Sequence, residues 1–161
     1  MAYHLSNAGF LTYPDYGQIV ANSALDPATD PAAELVVDAR SKGRYVHVHR
    51  SSWPSQILCR YLGVDPEPRP GLSSGHIPHS LSLPFNVFLK KHVGAEATYL
   101  LSSPELQKAL EDAIGTERAN LVIKGEIPVV TSCGSGMTAG VLWLGLKLLG
   151  VEQIGLYDEV S

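Results

Sequence analysis

Across one short loop the hydrophobic pattern of this chain switches from strand-like to helix-like, and a cysteine stands at the switch. Ile127-Pro128-Val129-Val130 places a β-branched pair behind a proline and predicts a short buried strand. Ala139 to Leu146 is rich in alanine and leucine, is closed by Gly150, and predicts a helix with a glycine stop. Between them runs Thr131-Ser132-Cys133-Gly134-Ser135-Gly136-Met137-Thr138. A strand that enters a helix through so tight a glycine-spaced loop points its backbone N–H groups inward, and the helix N-terminus adds partial positive charge. Both effects favour thiolate over thiol at Cys133, and the thiolate is the nucleophile. Two readings follow: a cysteine that carries an anionic adduct held by backbone donors, or a buried cysteine in a tight turn. Two glycines and flanking hydroxyl residues favour the first.

The remaining elements alternate. Glu34-Leu35-Val36-Val37 predicts a strand ending in Asp38-Ala39-Arg40, and Ser80-Leu81-Ser82-Leu83-Pro84 predicts a second. Pro104 to Leu110 predicts the opening of a helix with Ser103 as N-cap, Pro104 at the first position and an apolar face of Leu106, Leu110 and Ala113. Gln153 to Tyr157 predicts a last strand. Strands separated by helices predict an α/β fold, a central parallel sheet covered by helices on both faces. Sites in such sheets form at the carboxyl ends of strands, where Asp38, Arg40 and Cys133 all fall.

Composition narrows the function. A net charge of −4 provides no electrostatic footprint for nucleic acid. The longest apolar run, Ala139 to Leu146, is followed by Lys147 and is too short to span a bilayer. The first twenty residues carry no Lys or Arg, so no targeting segment is visible. Cys59 and Cys133 make neither a disulfide framework nor a metal-site spacing, and a reducing compartment, cytoplasmic or mitochondrial, is expected. His47, His49, His79 and His92 are scattered and give no metal site. No cofactor is implied.

Three motifs in order, Val37-Asp38-Ala39-Arg40, Gly75-His76-Ile77-Pro78 and Cys133-Gly134-Ser135-Gly136-Met137-Thr138, resemble a rhodanese domain. The loop opening Cys-Gly-Ser-Gly is similar to that of 3-mercaptopyruvate sulfurtransferases rather than to the more basic loop of thiosulfate-preferring rhodaneses. Asp65 to Pro70 resembles the stretch before the Gly-His-Ile motif in the catalytic, C-terminal half of those two-domain enzymes. The resemblance runs from about Leu35 to Asp158. It implies a segment over residues 1–31 leading into a rhodanese domain over 32–161, and a sulfurtransferase activity.

Position by position, the resemblance implies that Cys133 takes sulfur from a donor such as 3-mercaptopyruvate or thiosulfate as a persulfide. The sulfur then passes to a thiol or cyanide acceptor. Gly134, Ser135, Gly136, Met137 and Thr138 would cradle it with backbone N–H groups, and Ser135 would handle a proton. Arg44 and Arg69 match the arginines that grip the carboxylate and keto oxygens of mercaptopyruvate, as a guanidinium meets a carboxylate with paired hydrogen bonds. From sequence alone both also read as solvated surface charges. Asp38, Arg40 and His76 read as structural groups near the site. The implied partners are a small-molecule sulfur donor and a thiol acceptor, with an N-terminal rhodanese-like half completing the family's cleft and with neither nucleic acid nor membrane.

Other classes remain. A cysteine phosphatase with a related loop needs an arginine at the loop's far end, where this chain has Thr138-Ala139. Non-catalytic rhodanese-like binding modules typically lose the cysteine, which is kept here. An inactive truncated product is the third alternative, because the chain departs from the family. Val46 to Tyr61 reads as an insertion between Arg44 and Arg69, and the family's tryptophan-containing segment after Asp158 is missing. Arg44-Tyr45-Val46, Cys59-Arg60 and Glu159-Val160-Ser161 can each be encoded with splice signals, so retained intron sequence is the expectation for both departures.

Overall fold

The structure, a computed structural model, describes residues 14–27, 29–40, 76–91, 94 and 96–158. Arg44, Arg69, Cys59, the insertion Val46 to Tyr61 and the last three residues lie outside them. In chain order the elements are helix α1 (Tyr16–Ser23), strands β1 (Leu35–Asp38) and β2 (Leu81–Ser82), a 3-10 turn at Phe85–Phe88, and strands β3 (Leu89–Lys91) and β4 (Thr98–Leu100). Helices α2 (Ser103–Ile114) and α3 (Thr116–Ile123), strand β5 (Val129–Ser132), helix α4 (Met137–Leu148) and strand β6 (Ile154–Tyr157) follow. Strands β2, β1, β5 and β6 lie in that order in one parallel sheet, and β3 pairs antiparallel with β4.

Side-chain parity explains the layers. Successive residues of a strand point to opposite faces, so an unbroken apolar strand must be covered twice. Leu35, Val37, Val129 and Ile154 join the larger core with Leu83, Phe88, Leu106, Leu110, Leu142 and Leu146. Their neighbours Val36, Val130 and Tyr157 face the other way and pack with Ile19 of α1. Each fully buried side chain of this kind contributes about 1.5–3 kcal/mol, and the largest of them, Phe88, sits where the 3-10 turn meets α4. There Gly145 is the condition for contact: a Cβ at this position would collide with the Phe88 ring.

Element boundaries differ from expectation in instructive ways. The N-cap of α2 is Ser102, whose backbone N–H donates to Glu105 Oε2 at 2.8 Å, so Pro104 stands one place later than expected. Its buried line is Leu106, Leu110 and Ile114, while Ala113 is exposed. Positions 113 and 114 both fall near the line of Leu106 and Leu110, and the larger apolar surface of Ile114 decides which of them is buried. Strand β2 is confined to Leu81–Ser82, and β5 runs on to Ser132 rather than stopping at Val130. Helix α4 begins at Met137, inside the expected loop, and Gly150 closes it with φ +85°.

Candidate active site

Strand register brings the candidate residues together. Asp38 of β1 lies beside Ser132 of β5, and Ser132 lies beside Tyr157 of β6. The residues that follow, Ala39, Cys133 and Asp158, therefore leave the sheet side by side at its carboxyl end. The Ala39 N–H donates to Ser132 O at 2.8 Å and continues the ladder one step past the strand.

Cys133 is half-buried at this edge. The Ser135 N–H reaches its Sγ at 3.4 Å, and the Thr138 hydroxyl and the Thr138 and Ala139 amides also donate to it. Burial pushes the thiol's pKa up, but these donors outweigh it and hold the group below its ordinary value of 9.0. The thiolate is thus stabilised by dipoles from a loop and a helix N-terminus, with no cationic side chain between Cys133 and Thr138. Ala139 and the hydroxyl of Thr138 were not foreseen as donors to the sulfur. The hydroxyl residue in the first turn of α4 was the available signal, since such a side chain lies one turn from the loop it caps.

Gly136 makes the turn. Its φ is +74°, in the left-handed region that side chains disfavour, and a Cβ there would stand 2.5 Å from Asp158 Cβ and 3.3 Å from Asp158 Cα. Conformation and space both demand glycine. Ser135 is exposed, and Met137 is 80% exposed at the rim of the loop.

Asp38 and Arg40 form a different arrangement. Asp38 is 3% exposed, and its Oδ1 accepts from the Arg40 backbone N–H at 2.9 Å. Arg40 Nε donates to both carboxylate oxygens at 3.0 and 2.9 Å, and Nη2 donates to Oδ2 at 2.5 Å. The Asp38 carbonyl accepts from Leu83 N–H at 2.9 Å and the Ala39 carbonyl from Phe85 N–H at 3.1 Å, which fixes the end of β1 against the segment after β2. His76 is exposed, while the next residue, Ile77, packs against the smaller core. Among the described residues no group of His, Cys, Asp and Glu is placed to hold a metal ion, and no helix is long and apolar enough to cross a membrane.

A parallel sheet with a cysteine cradled between a strand end and a helix N-terminus defines the class: this is a rhodanese-fold chain. The fold is shared with the 3-mercaptopyruvate sulfurtransferase of Escherichia coli, whose crystal structure superposes over 93% of this chain and 42% of that one with a TM-score of 0.58 and 23% identity. It is also shared with the Tum1 protein of Saccharomyces cerevisiae, over 91% of this chain and 41% of that one, with a TM-score of 0.62 and 26% identity. Among curated proteins its homologues include 3-mercaptopyruvate sulfurtransferases, thiosulfate/3-mercaptopyruvate sulfurtransferases and a thiosulfate sulfurtransferase. One, the probable 3-mercaptopyruvate sulfurtransferase of Schizosaccharomyces pombe, is 39% identical over 100 residues, 62% of this chain and 30% of that protein. The chain thus spans about a third of the length of the curated relatives it matches. No protein-family model matches it.

Proposed function

We propose that this chain moves a sulfane sulfur from 3-mercaptopyruvate, or from thiosulfate, to a thiol or to cyanide through a persulfide on Cys133. The observation that carries the reading is the half-buried Sγ at the end of β5, surrounded by N–H and O–H donors and held below its usual pKa. In the first half-reaction the Cys133 thiolate attacks the sulfur of mercaptopyruvate. The S–S bond forms as the carbon–sulfur bond breaks, and the electron pair leaves as the enolate of pyruvate, which takes up a proton. In the second, the acceptor thiolate attacks the outer sulfur and Cys133 departs as thiolate, so no external oxidant or reductant is needed.

The loop amides suit a persulfide because its charge lies where Ser135, Thr138 and Ala139 already point. In this reading Ser135 handles the proton that the enolate requires. Arg44 and Arg69 bind the donor's carboxylate and keto oxygens, and an N-terminal rhodanese-like half completes the cleft. The compartment is cytoplasmic or mitochondrial; one relative, from Arabidopsis thaliana, is named as mitochondrial. Phosphate chemistry is disfavoured, because the loop carries no arginine to pair with equatorial oxygens.

The test is a sulfur-transfer assay with mercaptopyruvate and thiosulfate in parallel, with mass spectrometry of the intact protein after donor alone. The expected result is turnover that favours mercaptopyruvate in kcat/KM, and an adduct of one sulfur mass on the Cys133 peptide. Absence of both turnover and adduct with either donor refutes the proposal.

A further inference from the structure

The contact between Gly136 and Asp158 joins the nucleophile's loop to a residue that the chemistry above does not use. Asp158 leaves β6 beside Cys133, as the pairing of Tyr157 with Ser132 requires. Its Cβ lies so close to Gly136 that the loop has room for a hydrogen there and nothing larger. A carboxylate is one bond beyond that Cβ, so its charge is carried close to the loop at Gly136. Asp158 is exposed, and none of the ion pairs among the described residues includes it; those pairs join Arg40 to Asp38, Lys90 to Glu105 and Lys108 to Asp112. Its neighbour Gly136 is the N-cap of α4, the end of the helix where the dipole is positive.

That dipole is the same positive potential on which an anionic sulfur depends. A fixed negative charge at its edge takes up part of it and repels whatever further charge a donor brings. For a donor whose charge lies far from the reacting sulfur, as in an α-keto acid, the penalty is small. For a donor that carries charge on the atoms next to the reacting sulfur, as in thiosulfate, it is larger.

We propose that Asp158 is a specificity-determining residue of the Cys133 cradle, one that sets its preference against donors with a second negative charge at the reacting sulfur. The part concerning donors rests on the sulfurtransferase reading; the field at the sulfur does not. The experiment therefore has two arms, made with the full chain and with Asp158→Asn and Asp158→Glu. In the first, Cys133 is alkylated with anionic iodoacetate and with neutral iodoacetamide, and the Cys133 peptide is followed by mass so that Cys59 does not contribute. Both reagents consume the same thiolate, so the ratio of their rates cancels any change in its abundance.

Asp158→Asn should raise the iodoacetate-to-iodoacetamide ratio about threefold to fivefold at low ionic strength. The gain should shrink as salt is added, and Asp158→Glu should leave the ratio near that of the unaltered chain. In the second arm, Asp158→Asn should raise kcat/KM for thiosulfate relative to mercaptopyruvate by a similar factor. An unchanged alkylation ratio in Asp158→Asn, or an equal rise in Asp158→Glu, overturns the proposal. If the unaltered chain transfers sulfur from neither donor, the functional reading fails while the alkylation arm still decides the role of Asp158.

Discussion

At the end of β1 the carboxylate of Asp38 is 3% exposed and is closed off by the guanidinium of Arg40. At the end of the neighbouring β5 the sulfur of Cys133 is half-buried and is held by amides and a hydroxyl. The two positions are one residue apart in the same register. An ion pair saturates a charge and leaves it no capacity for a new bond. Dipoles stabilise an anion without a counter-charge that would have to be displaced, so the sulfur stays available to an incoming atom. Fixing a loop and making a bond therefore call for different partners, and the sheet supplies each at adjacent strands.

The sharpest way to break this comparison is to remove the sulfur. Cys133→Ser is expected to abolish transfer and any one-sulfur adduct, since a serine hydroxyl is a far weaker nucleophile at neutral pH. Its melting temperature should change little, and retained transfer would reassign the nucleophile. On the β1 side, Arg40→Leu leaves a buried carboxylate without its partner, and breaking such a pair costs about 3–5 kcal/mol. A fall of about 6–20 °C in melting temperature is expected. A shift of only a degree or two would show that water replaces the guanidinium.

Two glycines sharpen the contrast at intermediate size. Gly145→Ala drives a methyl into the Phe88 ring in the core and should cost about 1–3 kcal/mol, with Cys133 reactivity unchanged in the folded protein. Gly136→Ala meets Asp158 and adds left-handed strain of about 1–2 kcal/mol. It should move the loop and slow alkylation of Cys133 as well. Equal effects of the two on reactivity would show that the loop is not a separate device.

The smallest effect is expected for Thr138→Val, which removes one donor and leaves three amides. The midpoint of Cys133 alkylation with pH should move up toward 9.0, so less thiolate is present at neutral pH and alkylation slows by a few-fold. The sign for stability follows from the depressed thiol. Its stabilising contribution is fully present above 9.0, is lost as pH falls through the lower folded value, and diminishes in Thr138→Val. No shift in the midpoint would remove the hydroxyl from the cradle.

Much of this contrast was legible in the sequence where local signals were strong. The β5–loop–α4 unit and the strand endings at Asp38 and Tyr157 follow from β-branched runs, glycine spacing and a helix stop. What escaped had weaker or shared causes. Helix α1 announces itself by Asp15 and Gln18, which bond each other's backbone N–H at 2.7 and 2.8 Å, but only Ile19 of its eight residues is buried, so it has almost no apolar period. Strands β3 and β4 are three residues each, with Lys90, Lys91, Thr98 and Tyr99 obscuring alternation. Helix α3 follows α2 directly through Gly115 at φ +90° and has no side-chain cap. The Gly136–Asp158 contact is tertiary, and no window along the chain contains both of its partners.

That last contact has a consequence for how the chain matures. The loop around Cys133 is complete only after β6 has docked beside β5, because the residue that walls Gly136 arrives with the later strand. In a chain opened at that edge the donors from Ser135, Thr138 and Ala139 stay with the loop and α4, but the wall that confines Gly136 is gone and the loop is free to move. The alkylation rate of one cysteine, followed through refolding, would then act as a clock for closure of the sheet edge.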